Sequence, residues 1–371
     1  MKLLERYSTF FVVLLFIIGA TVYKEYLQAK RPQNTIHMSK TIGRYEHPFN
    51  SSIKGQKEFR VDENILELFK RLSYELEAGA TVNAISEASY MRHLQPVTAI
   101  SSNHFIELMA RIDVMEKFLP QNIKIIVYDL GLKRHEVEEL RNIPNVAYRV
   151  FDFSVFPTFV LNLHNYSWKP LIIQRILSEF GGVLWMDTSV VFQDSYDKIV
   201  HYMVEKNSSF LYYFKRAGHT ILSGTDPRML EFLPMKGTSE MSKYMPQAGA
   251  ILIYNTRLVR DNIMKWVLAC SLIEHCIAPS GPARHCDNFP PDKFGGCHLY
   301  DQSLFAITVS NAYDSHEEKY TLSEEMSGFA YPWRVRNDNI LLSKEFVIVY
   351  IVWAIIVILI RSIIWKLKCF V

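Results

Sequence analysis

Apolar residues fall into two patterns along this chain, helical stripes and short continuous runs, and the two alternate. The clearest example spans residues 168–186. Leu171, Ile172, Ile176, Leu177 and Phe180 recur at helical spacing, which predicts an amphipathic helix. Gly181-Gly182 ends it, as glycine does where the chain turns through positive φ. Val183-Leu184-Trp185-Met186 then reads as a strand buried on both faces, and Asp187 follows where that strand leaves the sheet. Upstream, Ile65, Leu66, Phe69, Leu72 and Leu76 predict a helix over 62–77 that Asp62 can cap, and Phe105, Leu108, Met109, Ile112 and Met115 predict another over 103–118. Strands are predicted over 123–128, 145–150, 209–214 and 247–256, with helices over 136–142 and 194–205 between them. A last helix opens in the run from Cys297 to Phe305. Helix–strand alternation of this kind builds an α/β sheet through crossovers.

The two ends carry different patterns. Residues 8–23 form an apolar run behind Lys2 and Arg6, and residues 346–360 form a second, followed by Lys366 and Lys368. The first reads as an uncleaved signal anchor and the second as a transmembrane helix. The implied organisation is an anchor over 1–28 and a stem with one amphipathic helix over 29–100. A globular domain follows over 101–331, then a tether over 332–345, a second membrane helix over 346–365 and a tail over 366–371. Cys369, beyond the second run, is a candidate acylation site.

Composition narrows the partners and the compartment. A net charge of +3 over 371 residues leaves no electrostatic footprint for nucleic acid. Cys270, Cys276, Cys286 and Cys297 form an even set without Cys-x-x-Cys knuckles, which favours two disulfides of open connectivity over a zinc site. Asn50, Asn165 and Asn207 each begin an acceptor triplet for N-glycosylation. Together these features place the main domain in the lumen of the endoplasmic reticulum or Golgi.

An acid at the carboxyl end of a buried strand stands where open α/β sheets bind ligands. Helix, Gly-Gly, apolar strand and Asp187-Thr188-Ser189 resemble the central motif of nucleotide-sugar glycosyltransferases of the GT-A fold, a Rossmann-like mixed sheet flanked by helices. The wording from Trp168 to Phe192, with Val127 to Leu132 upstream, also resembles a nematode protein family expected to share that fold. The resemblance implies a nucleotide sugar as donor and a glycan or glycoprotein as acceptor. It implies that Asp187 positions the donor diphosphate, directly or through Mn2+ or Mg2+, with Lys169 as the nearest cation. This chain departs from the family at Ser189, which stands where the motif has a second Asp; a hard cation prefers several charged oxygens. His298 is the candidate replacement ligand. Tyr128 and Asp129 fall beside the donor base, Gln247 and Gly249 beside the donor sugar. Asp301, in an Asp-Gln pair of the kind found late in several such families, is the candidate base for the acceptor hydroxyl. The structural alternative for Asp301 is a helix cap.

Two other readings stand beside this one. The same fold can serve as a catalytically silent membrane glycoprotein with a binding or structural role. A methyltransferase loop at Asp129-Leu130-Gly131 is disfavoured, because Lys133-Arg134 stands where further glycines would be needed. Residues 279–296 read as a disulfide-tied loop near the site mouth, and Trp333 to Arg336 as a closing flap.

Overall fold

The computed structural model describes residues 42–44, 60–120, 123–192, 195–233, 235, 242–281, 286, 297–322 and 330–332. Both terminal apolar segments, Asn50, Cys369, the flap at Trp333 and most of the loop over 279–296 lie outside the described residues. Among the described residues no helix is long and apolar enough to cross a membrane. The elements below belong to the unit formed by residues 43–371.

Six strands form one mixed sheet. In chain order they are β1 (Pro96–Ile100), β2 (Ile125–Asp129), β3 (Val146–Val150), β4 (Gly182–Met186), β6 (Phe210–Phe214) and β7 (Gln247–Tyr254), arranged β3-β2-β1-β4-β7-β6. A short pair, β5 (Val190–Phe192) with β8 (Ala330–Pro332), stands apart and is antiparallel. The first four strands of the sheet are parallel, and β7 runs antiparallel to both β4 and β6. The chain builds outward from β1 to β3, then returns to add β4 on the other side of β1. That reversal makes the carboxyl ends of β1 and β4 a topological switch point, the ligand position of doubly wound sheets.

All five residues of β4 are buried, as its unbroken apolar run predicts. Val183 and Trp185 point into one core, shared with helix α1 (Glu63–Ala78) and helix α6 (Trp168–Phe180). Leu184 and Met186 point into the other, with helix α2 (Glu87–His93) and helix α7 (Tyr196–Glu205). The exposed edge of β6 is closed by the returning chain, where Tyr212 and Leu322 donate to the carbonyls of Tyr320 and Tyr212.

The domain begins earlier than residue 101. Residues 96–100 are not stem but the inner strand of the sheet, with Val97 and Ile100 buried. Helix α1 is likewise part of the domain: Phe69, Leu72 and Leu76 are buried against α6, and Asp62 caps its start by accepting from the Asn64 amide. Asn255, at the end of β7, donates to the carbonyls of Leu76 and Ala80 and so ties this amino-terminal segment to the sheet. Two disulfides are formed, Cys270–Cys276 and Cys286–Cys297, which settles the connectivity.

The helix-to-strand turn before Asp187 depends on two glycines for different reasons. Gly181 caps α6 at φ 84°, a left-handed conformation costly to other residues. Gly182 has no such angle, but a Cβ there would meet the Tyr254 ring at 2.6 Å and the His93 carbonyl oxygen at 2.8 Å. Gly182→Ala is therefore expected to cost about 1–3 kcal/mol through overpacking, read as a lower denaturant midpoint at unchanged slope. A midpoint equal to that of the parent protein would show that the crowding is relieved at no cost.

Candidate active site

The end of β4 places Asp187 at the switch point beside β1, with its side chain 40% exposed. Its backbone is pinned across the sheet, where the Asp187 amide donates to the Gly249 carbonyl at 2.7 Å. Its Oδ1 accepts from the Trp185 indole at 2.7 Å and from the Lys169 ammonium at 3.3 Å. Among the described residues Oδ2 has no such partner, and it is the atom that a Cβ at Gly249 would meet at 3.4 Å. One oxygen is thus fixed and the other is presented.

Lys169 lies beneath, in the first turn of α6, and only 3% of its side chain is exposed. Its ammonium donates to the Ala248 carbonyl at 2.6 Å, pairs with Asp301 Oδ2 at 2.9 Å and reaches Asp187 Oδ1. Three N–H groups meet three acceptors, so the ammonium is saturated. Burial alone would strip its proton, but Asp187 and Asp301 outweigh that and hold its pKa above the ordinary lysine value. Lys169 therefore supports the site from within and does not face a donor, contrary to the expectation that it contacts the diphosphate.

Asp301 is the first residue of helix α10 (Asp301–Ala312) and the acid of its first turn, where its carboxylate also accepts from the Gln302 amide, as the helix-end alternative expects. Its side chain is only 8% exposed. Burial pushes its carboxyl up, and the neighbouring Lys169 opposes that shift. Asp301, expected as the base for an acceptor hydroxyl, is thus held in an ion pair with Lys169 and largely buried. Tyr300, just before it, adopts φ 48° and ψ −115°, a strained backbone for a non-glycine residue. The strain is held by bonds on either side of it, from the Leu299 amide and the Ser303 hydroxyl to the Gly224 carbonyl. The Tyr300 ring lies 5.8 Å from that of Tyr166, itself at φ 52° and 41% exposed.

The remaining expected residues separate. Ser189, two residues beyond Asp187, is partly exposed. Gln247 donates to the Arg216 carbonyl at 2.8 Å. Tyr128 is buried in the core with its ring edge-on to Phe151, so it offers no face to a donor base. Asp129 lies at the end of β2 as expected, but its carboxylate is spent internally on the amides of Gly131 and Leu132 and the Tyr148 hydroxyl. His298 is not a metal ligand. It is fully buried, Nδ1 accepts from the Asp226 amide, Nε2 donates to the Ile277 carbonyl, and burial pulls its pKa down to about 4. Asn165 is a correction too: it is buried, with its amide donating to the Phe159 carbonyl, whereas Asn207 is exposed in a turn.

A divalent ion fits this donor set poorly. Asp187 Oδ1 already holds an ammonium, a second acid is lacking at Ser189, and among the described residues no three acids, histidines or cysteines converge.

One contributor went unread in the sequence. Glu107 and Arg111 are both buried and paired at 3.1 Å, and both grip Thr188. Glu107 accepts from the Thr188 hydroxyl at 2.9 Å, and Arg111 donates to the Thr188 carbonyl at 2.7 Å. The only trace of this in the sequence is an acid and an arginine four apart within an apolar stripe. Burial raises the Glu107 carboxyl, but hydrogen bonds from His104, Thr188 and Arg111 outweigh it and bring the pKa from 4.5 to about 2. A depressed folded-state pKa contributes stability that is present above the unfolded value and lost as pH falls through the folded one. Thermal unfolding scans between pH 4.5 and about 2 should therefore show a decline in the parent protein that Glu107→Gln largely lacks. Parallel declines in both would contradict this pairing.

A family described as a protein of unknown function (DUF1647) matches residues 39–174. A comparison with curated proteins finds no match. Solved structures similar to this chain include the galactosyltransferase LgtC in complex with donor and acceptor sugar analogues, at 12% identity over 65% of this chain and 87% of that one, with a TM-score of 0.36. The mannosyltransferase Ktr4p from S. cerevisiae in complex with GDP is 10% identical over 71% of this chain and 94% of that one, with a TM-score of 0.33. Mouse xyloside xylosyltransferase 1 is 13% identical over 62% of this chain and 84% of that one, with a TM-score of 0.35.

Proposed function

We propose that the chain transfers a sugar from a nucleotide donor to a glycan or protein acceptor, with the donor seated at the carboxyl ends of β1 and β4. The observation that carries this reading is the fixed Asp187, one oxygen anchored and the other presented at the topological switch point. Asp187 Oδ2 accepts a hydroxyl of the donor and orients it. The bond from the anomeric carbon to the diphosphate breaks, the bond to the acceptor oxygen forms, and the acceptor's proton passes to Asp187 or to the departing diphosphate. Orientation by a preorganised group is the main source of rate.

The sequence resemblance to GT-A glycosyltransferases supports the same reading. The two disulfides and the exposed Asn207 support a luminal domain in the secretory pathway, carried by the terminal apolar segments. The burial of Asp301 in its pair with Lys169 favours the second reading, a silent binding glycoprotein.

Calorimetry of the purified protein with uridine and guanosine diphosphosugars separates the two. The proposal expects binding of at least one, and Asp187→Asn lowers its turnover by about 100-fold or more with thermal unfolding unchanged. Equal turnover in the variant would remove Asp187 from the site, and no binding of any nucleotide sugar would favour the silent reading. The luminal placement has its own check by endoglycosidase shift: Asn207→Gln should remove one glycan and Asn165→Gln none. An unshifted parent protein would contradict it.

A further inference from the structure

The ligands of the Lys169 ammonium are two carboxylates and a backbone carbonyl, at 3.3, 2.9 and 2.6 Å. All three are oxygens, two carry charge, and they come from three separate elements. Oxygens of this kind are what a hard divalent cation takes as ligands, although such a cation wants more than three of them. Here a lysine from the first turn of α6 occupies their centre.

We infer that Lys169 is a built-in cation standing where a divalent ion would otherwise bind, so that this site excludes such an ion and holds its ligand without one. The occupied position explains two departures together. A second acid at residue 189 has no metal to serve, and His298 is free to be spent on Asp226 and Ile277. Asp187 keeps its orientation because the ammonium is covalently tethered and cannot dissociate. The consequence for donor binding rests on the proposed function above; the cation position itself does not.

Trp185 makes this testable without any sugar nucleotide. Its indole donates to Asp187 Oδ1, so a terbium ion bound at the triad would lie beside an aromatic sensitiser. The full-length protein should show no saturable tryptophan-sensitised terbium emission that Asp187→Asn removes. Lys169→Ala should gain such emission, and should lose it again in combination with Asp187→Asn. Emission from the parent protein that Asp187→Asn abolishes would overturn the inference. So would a folded Lys169→Ala, verified by circular dichroism, that binds no terbium. Should Lys169→Ala fold poorly, manganese is expected to raise its melting temperature and leave that of the parent unchanged. The absence of such a rise would overturn the inference. Where a nucleoside diphosphate binds the parent protein, its affinity in chelator and in manganese should agree within about twofold. A gain of tenfold or more with manganese would contradict the inference while leaving the proposed function standing.

Discussion

A buried ammonium is the constraint around which this site is arranged. Taking a lysine out of water costs several kcal/mol unless opposite charge and hydrogen bonds compensate. Lys169 is compensated completely, by Asp187, Asp301 and the Ala248 carbonyl. The three partners come from the end of β4, the start of α10 and the start of β7, segments far apart in sequence. All three converge on one ammonium, so the lysine fixes their relative positions. The result is a carboxylate at the rim of the sheet whose geometry is set before any ligand arrives.

A second buried pair does similar work on the other side. Glu107 and Arg111 hold Thr188 by side chain and by backbone, so the turn after Asp187 is clamped from below while Lys169 holds it from α6. Tyr300 carries strain between His298 and Asp301, in the segment that delivers the second carboxylate. Strain kept at such a place is stable only because the surrounding bonds over-determine it. These features describe a rigid, preorganised rim.

Much of this was legible in the pattern of apolar residues. The helix, the two glycines and the buried strand before Asp187 lie as their spacing implies, because each rests on local rules: helical period, a left-handed cap and a run apolar on both faces. The strand over 96–100 was not legible. Pro96, Thr98 and only three apolar residues make a weak signal, and its place between β2 and β4 is a property of the sheet. The site residues divide along the same line. Asp187 follows from its position on a strand, whereas Asp301 and Tyr128, expected from the family resemblance, and His298, expected from its chemistry as a ligand, are buried. Whether a polar side chain faces a crevice or a core partner depends on neighbours distant in sequence. Lys169 shows this most clearly, since nothing near it in the chain reveals that Ala248 and Asp301 complete its coordination.

The central claim is that Lys169 and Asp301 form one interdependent charged unit beneath Asp187. A double-mutant cycle on folding stability tests it most directly, comparing Lys169→Met, Asp301→Asn and the two combined. The account predicts strong coupling, with the double variant less destabilised than the sum of the single variants by at least about 1.5 kcal/mol, because each single change strands a buried charge. Additive effects would contradict it, showing that the lysine and the acid are neighbours without mutual dependence.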